Sequence, residues 1–338
     1  MIEINGAEGG GQILRTALAL SAVTGEPCKV TNIRKGRPNP GMQAQHLEAA
    51  NALAQLCNAE ASGLAMHSTE IGFIPHEIKG GQISVEIPTA GSVSLVMQGI
   101  MIAALGARKG VSLHVSGGAT HGKWAPPVTY VTNVLLPLIG KMGYEGYIDV
   151  ENYGYYPRGG AEISCSFFPK NLKPVEILER GRILSVEGIS HASKLLEKGR
   201  VAERQKKSCS DFMEKSGFEC KIFDSYFSTS CGGSAVDLWI KTENSFLGAD
   251  SLGERGKSAE EVGKEVAKKS VHLLQSGAVL DEHAEDQILP YMALAGSGHF
   301  RYHHLTQHTR TNISVIEKFL HVKFSLDEEE KIISCEKS

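Results

Sequence analysis

Along this 338-residue sequence an apolar, helix-like run repeatedly ends at glycine and gives way to a β-rich stretch. Residues 11–25 (GQILRTALALSAVTG) lead into EPCKVTNI, 92–106 (SVSLVMQGIMIAALG) into GVSLHVSGG, and 129–143 into EGYIDVENYGYYPRGGAEISCSF; residues 312–320, without the glycine, lead into HVKFSL. A glycine just past a helix takes the left-handed conformation that closes it, and β-branched residues fit the pleated surface that follows. Residues 43–56 add a helix with apolar positions near helical spacing. Repeated βα units predict helices packed on sheets, an α/β or α+β body built by internal duplication.

Between residues 183 and 279 the character changes. Charged LLEKGRVAERQKKSCSDFMEKSGF, strand-like VDLWIKT and SAEEVGKEVAKKSVHLLQ replace the glycine-led apolar helices. The expectation is a smaller domain, residues 184–278, inserted into a body of residues 1–183 and 279–338.

The net charge of −3 argues against a protein that grips long duplex DNA or RNA by neutralising phosphates, so a nucleic acid would be met at its end. No run of eighteen apolar residues and no basic, apolar leader occurs, and the seven cysteines are scattered without a CxxC pair. A cytoplasmic protein with reduced thiols, no membrane and no zinc knuckle is expected.

Three stretches carry candidate chemistry. GAEGGGQILR (6–15) sets three glycines between Glu8 and Arg15 at a helix entrance, where bare backbone and helical amides can receive a phosphate and Glu8 a divalent cation; a tight turn with surface charges is the plain alternative. NIRKGRPNP (32–40) gathers Arg34, Lys35 and Arg37 in a Gly/Pro-rich loop, either a phosphate site or a solvated face. HFRYHHLTQHTRTN (299–312) holds four histidines without HExxH spacing. Of these, His308 precedes Thr309, Thr311, Asn312 and Ser314, side chains suited to capping the apolar helix beyond. A neutral imidazole at a helix N-terminus can attack phosphorus; the alternative is an ordinary core or surface histidine. SLGERGKS (251–258) falls one glycine short of a phosphate loop and reads as a polar loop with Ser258 as helix cap.

Taken in order, EGGGQILR (8–15), IRKGRPNPGMQAQHL (33–47), PTAGSVSLVMQ (88–98), SGGATHGKWAPP (116–127), YGYYPRGG (153–160), EDQILPYMALAGSGHF (285–300) and HTRTNI (308–313) resemble the RNA 3'-terminal phosphate cyclase family over nearly the whole chain. The resemblance implies a large domain of repeated βαβαββ units, similar to a translation initiation factor domain and to enolpyruvyl transferases, with a smaller α/β domain inserted late. It implies an ATP-dependent, ligase-type conversion of RNA 3'-phosphate ends to 2',3'-cyclic phosphates through histidine-AMP, with Mg or Mn. His308 matches the nucleophile and Glu8 the metal carboxylate. Arg15, Arg34, Arg37 and Gln45 match the phosphate-holding set. Gln98, Pro126 and the run His283, Ala284, Glu285, Asp286 and Gln287 match the nucleotide-binding positions. Two departures are Ala161, where a third glycine is common, and His283, where an aromatic ring often faces adenine. A non-catalytic RNA-binding scaffold of the same superfamily and an enolpyruvyl transferase are the rival expectations.

Overall fold

The computed structural model describes residues 1–7, 10–123 and 125–338, and its architecture is mixed α/β. Three times the chain runs βαβαββ. The first pass is β1 (Ile2–Asn5), α1 (Gly10–Thr24), β2 (Cys28–Thr31), α2 (Ala44–Leu56), β3 (Glu60–Ser62) and β4 (Ile71–Ile74). The second is β5 (Gly81–Ser92), α3 (Val93–Ala103), β6 (Val111–Ala119), a helix formed by α4 (Val128–Tyr130), a π-turn (Val131–Leu135) and α5 (Leu136–Gly140), then β7 (Glu145–Asn152) and β8 (Glu162–Phe168).

The third pass is split. After β9 (Val175–Ile177) come β10 (Ile183–Ser193), α6 (Val201–Lys215), β11 (Lys221–Phe227), β12 (Ser234–Thr242), β13 (Phe246–Leu252) and α7 (Ala259–Ser276). The pass resumes with α8 (Glu282–Gln287), α9 (Leu289–Ala295), β14 (Ser297–Arg301), α10 (Gln307–Phe319), β15 (Val322–Asp327) and β16 (Ile332–Lys337). The sheet orders β1-β2-β4-β3, β5-β6-β8-β7 and β9-β14-β16-β15 are one topology. In each, the first two strands are parallel and the remaining pairings antiparallel.

Local chemistry explains the elements. The α1 helix is rich in Ala and Leu, strong helix formers, and closes at Gly25, whose φ of 76° needs no Cβ to be relieved. Every residue of α3 except Gln98 is buried, as expected of a helix apolar all round that is packed on every side. The α1 helix packs on α2, α3 and α10, so helices from all three passes meet at the centre.

Residues of β10–β13, α6 and α7 form their own sheet, β11-β10-β12-β13, and their own apolar core, separate from the large core of the three passes. The α6 and α7 helices approach closely because Gly263 lies against the Gln205 carbonyl oxygen, where a Cβ would collide. Ser258 caps α7 in a reciprocal box with Glu261, so SLGERGKS is the polar loop and cap its composition predicts from residue 253 on, while Ser251 and Leu252 end β13. None of the helices is long and apolar enough to cross a membrane among the described residues.

Candidate active site

A small cavity of about 30 Å³, room for a water or two by volume, opens where the three passes touch. Its walls are Gln12 and Arg15 of α1, Gln98 of α3, Leu135 of the π-turn, Gln287 of α8 and Asn312 of α10, among others. Several amide atoms there are buried without a hydrogen-bond partner among the described residues: Gln98 Nε2, Gln287 Oε1 and Asn312 Oδ1. Buried amides left open in this way are costly unless something completes them.

Asp286 anchors one side. Gln12 Nε2 donates to its Oδ1 at 2.7 Å, and Asn312 Nδ2 donates to its backbone oxygen at 2.8 Å. Burial pushes the Asp286 carboxyl up to about 6, against the pull of His283, Gln12 and Arg15. Arg15 donates to Gln98 Oε1 at 3.4 Å, and burial lowers its guanidinium to about 10 despite Asp286. Among the described residues none of Arg15, Arg34 and Arg37 forms an ion pair with a carboxylate.

His308 is the second residue of α10, whose cap is Thr306 accepting from the Thr309 amide. The helix therefore starts one turn earlier than the capping residues after His308 predict, because Thr306 takes that role; Thr309 and Thr311 are buried within the helix. Burial first, then the charges of Arg37, Arg15 and His283, hold the His308 pKa below the usual histidine value. Its Nδ1 is buried without a partner among the described residues.

Gly10 and Gly11 of the N-terminal motif make room for side chains. Gly10, at φ 62°, lies where a Cβ would come 3.2 Å from Arg37 Nη2, and a Cβ on Gly11 would overlap the His46 ring. His46 Nδ1 accepts from the Gln43 amide at 3.2 Å; burial, then Arg15 and Arg34, push its pKa down to about 3, so it is a neutral spacer. Gly11→Ala is expected to displace this ring and cost about 1–3 kcal/mol as overpacking does, read as a lower thermal midpoint.

Other residues singled out from sequence have further contacts of their own. Arg34, at φ 55°, donates to the Asn39 and Gly41 carbonyls and closes its own loop. Gln45 Oε1 accepts from the Ser92 amide at 2.9 Å, and the Pro126 carbonyl accepts from the Ser94 hydroxyl at 2.5 Å. Ala284 is buried in the core. Glu285 accepts from the His303 and His304 amides, and burial raises its carboxyl to about 8. His283 meets Tyr130 edge-on at 5.7 Å. Glu8 lies outside the described residues.

Gln12, His46 and Asn312 complete the site; from sequence Gln12 and His46 had no assigned role, and Asn312 only that of a helix cap, whereas its Nδ2 donates to the Asp286 carbonyl.

Cations without carboxylate partners among the described residues, near an imidazole whose pKa they help to lower, suit a phosphorylated ligand at the junction of an internally triplicated α/β protein. The sequence profile of the RNA 3'-terminal phosphate cyclase family matches residues 6–326. The RNA 3'-terminal phosphate cyclase of Methanosarcina barkeri is 43% identical over 332 residues, covering 98% of both chains. That of Methanopyrus kandleri is 44% identical over 337 residues (96% of this chain, 95% of the relative), and that of Pyrococcus furiosus 42% over 323 (94% and 93%). The fold overlaps the enolpyruvyl transferase NikO of Streptomyces tendae over 99% of this chain and 48% of that one, at a TM-score of 0.40 and 8% identity, too slight to bear on chemistry. The chain belongs to the RNA 3'-terminal phosphate cyclase family and is an enzyme of that family.

Proposed function

We propose that this protein converts the 3'-terminal phosphate of RNA into a 2',3'-cyclic phosphate at the expense of ATP, a ligase-type reaction, with His308 as the adenylylated residue. The observation that carries the reading is the place of His308 on the first turn of α10, where burial and the charges of Arg37 and Arg15 hold its pKa below the usual histidine value.

With Nδ1 buried, Nε2 is the ring nitrogen left to attack the α-phosphorus. The bond to pyrophosphate breaks, and Arg15, Arg37 and the α10 amides offset the charge that gathers on oxygen. An oxygen of the RNA 3'-phosphate then attacks the same phosphorus, breaking the P–N bond and freeing His308. Finally the neighbouring 2'-hydroxyl gives up its proton and attacks the 3'-phosphorus, and AMP leaves. Activation is required because a phosphate monoester dianion lacks a good leaving group, and ring closure gains from enforced proximity. The 2'-hydroxyl requirement selects RNA over DNA.

The open amides of Gln98, Gln287 and Asn312 fit the polar edges of a nucleotide, and the His283 ring offers a stacking face. A divalent ion, Mg or Mn, carried with the triphosphate and held by Glu8 would add positive charge there. The seven free cysteines accord with action in the cytoplasm.

Protein incubated with ATP labelled at the α-phosphate and a divalent ion, without RNA, should acquire label stable to base and labile to acid. RNA bearing a 3'-phosphate should discharge it. A chain that takes no label is a scaffold. Because a protonated imidazole is no nucleophile and the His308 pKa is lowered, the acid limb of kcat/KM for labelling should lie below about 6.5. Removing a neighbouring cation in Arg37→Gln should move that limb to higher pH.

A further inference from the structure

Away from the cleft lies a cluster that the reaction above leaves unused. His121, just past β6, His191 of β10 and Asp237 of β12 are 2%, 0% and 3% exposed. In the β10–β12 pairing His191 opposes Ala235 and Ile189 opposes Asp237, so His191 and Asp237 are diagonal neighbours on one face of the inserted sheet. His121 reaches them from the second βαβαββ pass.

Three atoms converge. His121 Nε2 is 2.9 Å and His191 Nε2 3.1 Å from Asp237 Oδ2, and the two nitrogens are 3.2 Å apart. Among the described residues no other three histidine, cysteine or acidic side chains meet this way. Ligands about 2.0–2.1 Å from a tetrahedral zinc ion lie about 3.3 Å from one another, close to this triangle.

Each ring has an oxygen partner on its far side. Thr120 Oγ1, 3.1 Å from the Gly154 carbonyl and 2.9 Å from His121 Nδ1, can accept the Nδ1 proton while it donates to that carbonyl, which leaves the His121 Nε2 lone pair for an ion. Tyr155 Oη stands 2.5 Å from His191 Nδ1. Oxygen partners on the distal nitrogens are the arrangement that orients metal-binding histidines. Asp237 Oδ1 is buried without a hydrogen-bond partner among the described residues, which leaves a second carboxylate oxygen for the same ion. Tyr153, stacked on Phe227 at 4.0 Å and 4.9 Å from the His191 ring, walls the cluster off.

We infer that His121, His191 and Asp237 bind a divalent transition-metal ion of the zinc class, which staples the inserted unit to the triplicated body. An ion between the two Nε2 atoms and Asp237 Oδ2 would satisfy all three at once, and the alternative is a ring proton shared with the carboxylate in an ordinary hydrogen bond. Two neutral imidazoles and one carboxylate with ordered outer partners are a zinc donor set, and the enclosure makes the ion structural.

Protein prepared with zinc and without nucleotide, so that no ion travels with a triphosphate, should retain about one zinc per chain after dialysis against EDTA. Asp237→Asn and His191→Gln should lose it, and Tyr155→Phe should weaken binding about 10–100-fold. Refolding with Co²⁺ should give visible ligand-field bands in the wild type and none in Asp237→Asn. Should a variant not fold, the wild type still decides. A folded wild type that stays metal-free after refolding in excess zinc and shows no cobalt bands overturns the assignment in favour of the shared proton.

Discussion

His308→Ala is expected to reduce transfer of label from ATP to the protein by at least about 10³-fold, to assay background, because no second nucleophile can replace the ring. The loss should fall on chemistry and spare binding. Arg15, Arg37, Gln98 and Gln287 do not depend on the imidazole for their placement, so ATP affinity should change only a few-fold. A further outcome separates this role from a structural one. If the imidazole serves only to build the activated RNA end, the variant should still cyclise RNA supplied with AMP already joined through its 3'-phosphate. Label on His308→Ala, or failure with pre-activated RNA in a folded variant, would contradict the assignment.

The second large effect concerns stability. Asp281 Oδ1 accepts from the Tyr130 hydroxyl at 2.7 Å and from the His283 and Ala284 amides at 3.0 Å, and Oδ2 accepts from the Gly248 amide at 2.8 Å. One buried carboxyl thus caps α8, holds the helix preceding the π-turn and ties β13 of the inserted unit to both. Asp281→Ala strands four donors at once, and the expected cost is about 3–5 kcal/mol, seen as a lower thermal midpoint. Asp281→Asn keeps the shape and loses one acceptor oxygen, so it should cost less. Equal midpoints for Ala and wild type would refute the joint.

The alternation of helix and strand was legible because its signals are local: apolar runs, closing glycines, β-branched stretches. That the fold is one unit three times over was harder to see, since β9 is three residues long and its continuation begins only at Glu282. Motif order gathered residues that do meet, such as Arg15, Gln98 and Gln287, which share the cavity. Spacing could not tell them from Gln45 and Glu285, whose side-chain oxygens accept from backbone amides, since hydrogen-bond occupancy is decided by partners remote in sequence. The same limit hid the pairing of His121 with Asp237, 116 positions apart.

The interruption of the third pass has a temporal consequence. Its first strand cannot pair with β14 until everything between them has been synthesised, and α10, the bearer of His308, follows later still. A ribosome therefore finishes the first two passes and the inserted unit before it delivers the proposed nucleophile, and a product broken off before residue 307 would hold much of the core yet lack the residue proposed to open ATP.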